Sequence, residues 1–371
     1  MRTKKLLILL GSVCLSLMLV IPLVVACAAP APTPSPSPSP SPSPSPSPTP
    51  SPPPTAEVYE LRMQHSWGAA ENHFFEQYAD IVREMTGGQI DISVFSDGEL
   101  VSWDQLTDAV AAGTIDIGHT HPDYYEGVVA EGFLESAPYL WRTLDEEIAV
   151  IYEYGVGDIY TEALEETFGY HVLGFEPDDW GAMMFTKPIH SLKDMKGCAI
   201  QILDPTGSIL HDLAGASSTY LGPEEIYTAL ATGVLDAVEY GGAKAMSEMG
   251  FHEVAKYFIE PHHQISYFPF YFINADLYNE LPSNLQAILR EAVRANGIYM
   301  RSFYAHGEAK ALAMMQEEAG VTVCRLPDED VEAIFQETLK WLQGDYAAMS
   351  PGCQQAANLC LEALRDFGRI S

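Results

Sequence analysis

The apolar and polar positions fall into regular rhythms only beyond about residue 57. Residues 58–66 (VYELRMQHS) alternate as a strand does, and residues 73–85 (HFFEQYADIVREM) carry apolar side chains at helical spacing before Gly87-Gly88. Residues 90–95 (IDISVF) alternate again, 104–112 are spaced as a helix, and 114–118 form a short strand-like run. The first third therefore predicts β, α, β, α, β. The second third repeats it, with a strand at 199–203, a turn at Asp204-Pro205-Thr206-Gly207, helices at 208–214 and 224–232, and a strand at 235–239. Alternation of this kind predicts an α/β fold with parallel or mixed sheets flanked by helices. The last third reads as helices at 284–304, 306–319, 328–342 and 353–367, interrupted by a strand-like VTVCRL at 321–326.

Two phrases nearly repeat, DAVAAGTIDIGH at 108–119 and TALATGVLDAVEY at 228–240, sharing A-x-A-x-G-x-x-D around Gly113 and Gly233. Each reads as the end of a helix, a glycine that turns the chain, and a strand. Ligands of open α/β sheets gather beyond the carboxyl ends of strands. His119 and Glu239-Tyr240 stand at those two ends, and facing sheets would aim both at one cleft.

The beginning of the chain follows other rules. Arg2, Lys4 and Lys5 precede an almost wholly apolar run at 6–25, the order of a secretory signal at residues 1–26. The run closes on Val24-Val25-Ala26-Cys27, which resembles the lipobox of bacterial lipoproteins and implies that Cys27 is lipidated. Residues 30–55 repeat Ser-Pro, which builds no core and favours extended polyproline II. With Cys27 they make a stalk at 27–55 that reaches roughly 80 Å at about 3.1 Å per residue. The remaining 56–371 is long enough for two domains. Without the three signal cations, 16 Lys and Arg face 51 Asp and Glu, which argues against a nucleic-acid partner. Cys198, Cys324, Cys353 and Cys360 allow three pairings; on one helix Cys353 and Cys360 would stand about 10 Å apart, too far to bridge.

The runs GGQIDISVFSDGELVSWDQLTDAVAAGTIDIGHT, KPIHSLKDMKG and ATGVLDAVEYGGAKAMSEMGFHEVAKYF resemble the periplasmic solute receptors of TRAP transporters. They are most similar to the branch that binds 2-oxo or 2-hydroxy acids, in some members with a metal ion. The resemblance implies a two-domain periplasmic-binding-protein-like fold with hinge strands and long C-terminal helices. The first α/β domain would be 56–178, the second 179–262, and 263–371 would supply the crossover back, a helical spine and the terminal helices. It further implies a receptor without enzymatic activity, held on the outer face of the cytoplasmic membrane and delivering a small solute to TRAP permease subunits. Some relatives pair through C-terminal helices, so a homodimer through 331–371 stands beside the plainer role of covering the sheets.

Departures from the branch bear on the ligand. The strand after the G-x-K motif normally carries an arginine that grips a carboxylate by two parallel hydrogen bonds. Here KGCAIQILD places Gln201 in that slot, and no arginine occurs between Arg142 and Arg290. Where relatives have a glutamine some twenty residues earlier, this chain has Trp180; the acid-aromatic pair survives as Glu239-Tyr240, whose acid is a metal ligand in relatives. These departures leave three readings. A carboxylate solute could be bridged to Glu239 by a calcium or sodium ion. A neutral or amide-bearing solute would use Gln201, with Trp180 as a stacking wall. A cationic solute would suit Glu239, Trp180, Tyr124 and Tyr125. No cofactor is otherwise called for.

Other constellations compete with plainer roles. GHTHPDYY (118–125) gathers His119, His121, Asp123, Tyr124 and Tyr125, a partial transition-metal donor set or a cleft wall offering a tyrosine hydroxyl. His65 and Trp67 end the first strand as further substrate-binding candidates. His262-His263 reads as a solvent turn in preference to a ligand-facing pair, and Lys244 as a solvated lysine or a stand-in for the missing arginine. The chain has no G-x-S-x-G elbow, phosphate-binding glycine loop or H-E-x-x-H. Its many acids leave a glycosidase-like alternative open, and a tethered sensor of the same solute is the third class.

Overall fold

The computed structural model describes residues 57–125 and 127–371, which belong to one compact unit. The signal sequence, Cys27 and the Ser-Pro stalk lie outside the described residues. The strands, in chain order, are β1 (Tyr59–His65), β2 (Ile90–Phe95), β3 (Ile117–Thr120), β4 (His171–Phe175), β5 (Ala182–Phe185), β6 (Ala199–Gln201), β7 (Ser217–Thr219), β8 (Ala237–Tyr240), β9 (Tyr257–Glu260), β10 (Phe270–Ile273) and β11 (Thr322–Arg325). They form two mixed sheets, β2-β1-β3-β10-β4 in the first lobe and β11-β9-β5-β8-β6-β7 in the second.

Taken from the opposite edge, the second sheet is the first one again. β7, β6, β8, β5 and β9 match β2, β1, β3, β10 and β4 in order and direction, and β11 is added at the edge. The repeated phrase builds the same joint in both lobes. Gly113 and Gly233 take φ of 70° and 75°, a left-handed turn that glycine adopts without a Cβ penalty. The aspartate three positions later locks the adjacent parallel strand: Asp116 accepts the Arg62 N–H at 2.6 Å, and Asp236 accepts the Ala199 N–H at 2.9 Å. Their backbone carbonyls then accept from Asn274 and Thr186, each just past the neighbouring antiparallel strand. The two motif aspartates are thus strand locks.

Three connections join the lobes. The chain leaves β4 through 176–181 into β5, returns from β9 through 261–269 into β10, and passes back along one continuous helix, Ser283–Glu317, to β11. The sequence pattern predicts two helices there, parted near Ala305. The helix does not break because its glycines serve close packing. A Cβ on Gly297 would lie 2.9 Å from Glu176 Cβ and Pro177 Cδ, and one on Gly307 would lie 2.4 Å from Lys244 Cδ. The helix thereby lies against the first crossover with one glycine and against the second-lobe helix Ala243–Glu248 with the other.

The terminal helices Asp328–Trp341 and Pro351–Asp366 seal a hydrophobic core that takes residues from both lobes. Pro351–Asp366 buries Cys353, Ala356, Ala357, Cys360, Ala363 and Leu364 against the helices Leu144–Tyr152 and Val156–Phe168 of the same chain. Cys198, Cys324, Cys353 and Cys360 are all buried and unpaired.

Candidate functional site

The carboxyl ends of β6 and β8 carry one wall of the interlobe cleft. Glu239, 9% exposed, accepts the Tyr267 hydroxyl at 2.6 Å and faces His263 Nε2 at 3.7 Å. Burial pushes its carboxyl up to about 7, against the lowering effect of the Tyr267 hydrogen bond. Burial likewise pulls His263 down to about 3, so the imidazole beside it is neutral. Ser136, Thr206, Glu239, His263, Gln264 and Tyr267 line a small pocket here. Its two sides come from different lobes and already touch, since the Thr206 hydroxyl donates to the Ser136 carbonyl at 2.7 Å. Gly181 at the start of β5 leaves room for Tyr267, whose hydroxyl would stand 2.6 Å from a Cβ there.

The opposite wall is denser in charge. His121 and Asp123 follow β3, and Glu135 comes from the turn Ala130–Ser136; all three are buried. His121 Nδ1 lies 3.2 Å from Glu135 Oε1, and its Nε2 lies 3.8 Å from Asp178 Oδ2 in the first crossover. Burial opposes the charge on His121, but the Glu135 hydrogen bond and the charges of Glu135, Asp123 and Asp178 raise it to about 9. Burial lifts Asp178 to about 6. Glu135 also accepts N–H groups from Phe268 at 2.8 Å and Asp123 at 3.3 Å, and Asp123 accepts the Ser136 hydroxyl at 3.0 Å. Tyr267 joins the walls, its ring centroid 5.8 Å from that of the His121 ring in an edge-to-face arrangement while its hydroxyl reaches Glu239.

The residues singled out in the sequence are dispersed over these walls and their supports. Strand register sets Gln201 beside Val238, so alternation puts Gln201, Val238 and Tyr240 on one face of the sheet and Glu239 on the other. Gln201 is buried, and its Oε1 has no hydrogen-bond partner among the described residues. Trp180 carries Arg301 on its ring at 3.8 Å, and that guanidinium donates to the carbonyls of Asp178 at 2.7 Å and Ile265 at 3.1 Å. Arg301 therefore clamps both crossovers from the long helix. Tyr124 is half-open at 36% exposure, between the Trp103 and His121 rings. Tyr125 is buried, its hydroxyl on the Trp103 carbonyl at 3.1 Å. His65 is buried against Phe75, with Nε2 on Asn72 Oδ1 at 2.8 Å and Nδ1 accepting the Trp67 N–H at 3.2 Å. Trp67 packs edge-on to His119 at 5.0 Å. His119 meets Glu176 at 3.3 Å in full burial, which pushes the acid well up and the imidazole well down, so they pair as neutral groups.

Two readings of the sequence need correction. His263 is not in a solvent turn, being buried opposite Glu239. Lys244 does not replace an arginine: its ammonium holds both Glu248 oxygens at 2.7 and 2.8 Å. Glu135, Asp178, Tyr267 and Arg301 escaped the sequence reading. The aromatic run ISYFPF ahead of β10 is the one signal that could have pointed to Tyr267.

The Glu239 carboxylate and the Tyr267 hydroxyl are hard oxygen donors side by side on the second-lobe wall. Such donors suit calcium or sodium. The ion-pair partners of Glu135, Asp178 and Glu239 are histidines, and Arg301 spends two donors on backbone carbonyls.

Comparison with known proteins agrees with this architecture. The chain is 32% identical over 266 residues, 67% of its length and 69% of the relative's, to a monocarboxylate 2-oxoacid-binding periplasmic protein of Nostoc sp.. A TRAP periplasmic solute-binding protein from Colwellia psychrerythraea with bound calcium and pyruvate superposes with a TM-score of 0.75 at 24% identity, covering 84% of this chain and 96% of that one. One from Chromohalobacter salexigens with bound (S)-(+)-2-amino-1-propanol superposes with a TM-score of 0.72 at 23% identity, covering 84% and 97%. The family model for DctP, bacterial extracellular solute-binding protein, family 7, matches residues 63–347, and the chain belongs to that family.

Proposed function

We propose that this chain is the extracytoplasmic receptor of a TRAP-type transporter, tethered through Cys27, which closes its two lobes over a small 2-oxo or 2-hydroxy acid together with a calcium or sodium ion. One observation carries the reading: the cleft presents buried carboxylates whose ion-pair partners are histidines, and the slot of the usual arginine holds Gln201. A bare carboxylate entering such a cleft meets like charge in a low-dielectric setting, so a metal ion must supply the attraction. Glu239 and the Tyr267 hydroxyl would hold that ion, and the ion would bridge to the solute's carboxylate and 2-oxygen. Tyr124, Trp67, Tyr240, Trp180 and Gln201 would shape the remaining space. Closure is selected by contacts that exist only when the lobes meet, of which the Thr206–Ser136 bond is an example. The solute leaves chemically unchanged.

The same acidic, aromatic cleft favours a second reading, a small organic cation such as an amino alcohol, with Glu239 as counter-ion and Tyr124 and Trp67 as aromatic walls. Thermal unfolding of the purified receptor with 2-oxo acids, 2-hydroxy acids and amino alcohols, each with calcium or with chelator, separates the two. A ligand at 100 times its Kd stabilises by about 2.7 kcal/mol. Acid-induced shifts that vanish with chelator support the first reading. Shifts with amino alcohols alone, indifferent to chelator, replace it with the second.

A further inference from the structure

The first-lobe wall holds more than a solute contact. One ligand atom from each of His121, Asp123 and Glu135 lies within 4.8 Å of the others, and all three residues are buried. A further carboxylate arrives from the first crossover, at the other nitrogen of the His121 ring. Asp178 is 5% exposed, its Oδ2 lies 3.8 Å from His121 Nε2, and its Oδ1 is buried without a hydrogen-bond partner among the described residues. Three carboxylates stand around one imidazole in a buried place, Glu135 at Nδ1 and Asp178 at Nε2. Buried charges of this kind are costly unless they are paired or ligate a cation.

The supports around the cluster are those of an oriented donor set. The Phe268 and Asp123 N–H groups fix the two oxygens of Glu135, and the Ser136 hydroxyl fixes Asp123 Oδ2. Hydrogen bonds of this kind hold ligating carboxylates in place around metal ions. The three donors sit on two short turns that follow β3. An imidazole nitrogen among carboxylate oxygens is the donor set of zinc or manganese, whereas calcium takes oxygen alone.

We propose that His121, Asp123 and Glu135, with Asp178 facing the other imidazole nitrogen of His121 and orienting the ring, form a site for a divalent transition-metal ion in the first-lobe wall, separate from the ion placed at Glu239. The site does not depend on the identity of the solute. It gives the receptor a second cation whose occupancy would follow the metal content of its surroundings.

The test is calorimetric titration of the chelator-treated receptor, free of solute, with zinc, cobalt and calcium in turn, with cobalt also followed by visible absorption. The expected result is one zinc per chain, and cobalt bands that zinc displaces and calcium does not. His121→Ala should weaken zinc at least a hundredfold, while Glu239→Gln leaves zinc affinity within a few-fold. Should His121→Ala lose its folded circular-dichroism signal, Asp123→Asn takes its place with the same expected loss. Zinc affinity unchanged in the His121 or Asp123 variant would overturn the site. So would loss of zinc in Glu239→Gln alone, which would place the ion on the opposite wall.

Discussion

The two lobes share a strand order and a repeated phrase, yet the cleft walls they end in differ. In the second lobe the strand end gives one carboxylate, Glu239, with a phenol and a neutral imidazole beside it. In the first, the strand end runs into a turn that gathers His121, Asp123 and Glu135 into a charged cluster. The two lobes part ways only beyond the joint. After β8 the chain enters the helix Ala243–Glu248, whereas after β3 it makes two successive short turns before its next helix. A duplicated scaffold thus fixes where a cleft forms, and the segments beyond the strand ends decide its chemistry.

The largest expected effect isolates the second-lobe wall. Glu239→Gln removes the carboxylate assigned to the solute's ion, and calcium-dependent binding should weaken at least a hundredfold in titration calorimetry. The fold should persist, because a buried acid pushed up to about 7 gives little as an anion to stability. Wild-type affinity should also fall about tenfold per pH unit below 7, as Glu239 takes up its proton, and level off above 7. An affinity indifferent to pH between 5 and 7 would remove Glu239 from the site.

The first-lobe wall should respond to pH in the opposite sense, through stability. His121 titrates near 9 when folded and near 6.5 when unfolded, so its contribution is complete below 6.5 and is lost as pH rises through 9. That loss amounts to about 3 kcal/mol at most. Urea unfolding of the chelator-treated, solute-free receptor should reveal it, and His121→Gln should flatten the profile over that window. An equal slope in the variant would assign the pH dependence to another group.

Tyr267→Phe sharpens the comparison further, because it alters Glu239 without removing it. Loss of a hydrogen bond to a carboxylate should shift the affinity midpoint to higher pH and weaken binding at pH 7 about tenfold. The smallest effects concern the shared spine. Gly297→Ala drives a methyl against Glu176 Cβ and the Pro177 ring, which cannot swing away, and should cost about 1–3 kcal/mol. Gly307→Ala meets the flexible Lys244 stem, so gained helix propensity of about 1 kcal/mol offsets the clash and the melting temperature should hardly change.

The scaffold was legible in the sequence because its cues are local. The repeated A-x-A-x-G-x-x-D announced both helix–turn–strand joints, and Glu239 stood out as the acid at a strand end. Its chemical partners did not. Tyr267 and His263 reach it through a crossover returning from the second lobe, and Asp178 and Glu135 meet His121 across 57 and 14 positions. No spacing rule joins such residues before the sheets are assembled. The helix Ser283–Glu317 read as two pieces parted near Ala305, because the neighbours that hold it as one, Glu176, Pro177 and Lys244, lie far away along the chain. Tyr125 and His65 resembled site residues by position, yet their polar atoms are engaged within the lobe.

The central claim is that a metal ion, and no arginine, brings a carboxylate solute into this cleft. Calorimetric titration of the purified receptor with a 2-oxo acid such as pyruvate, in calcium and again in chelator, tests it most directly. The account predicts binding with calcium and at least a hundredfold weaker binding in chelator. Equal affinity in both would contradict it and would mean that protein groups alone hold the acid.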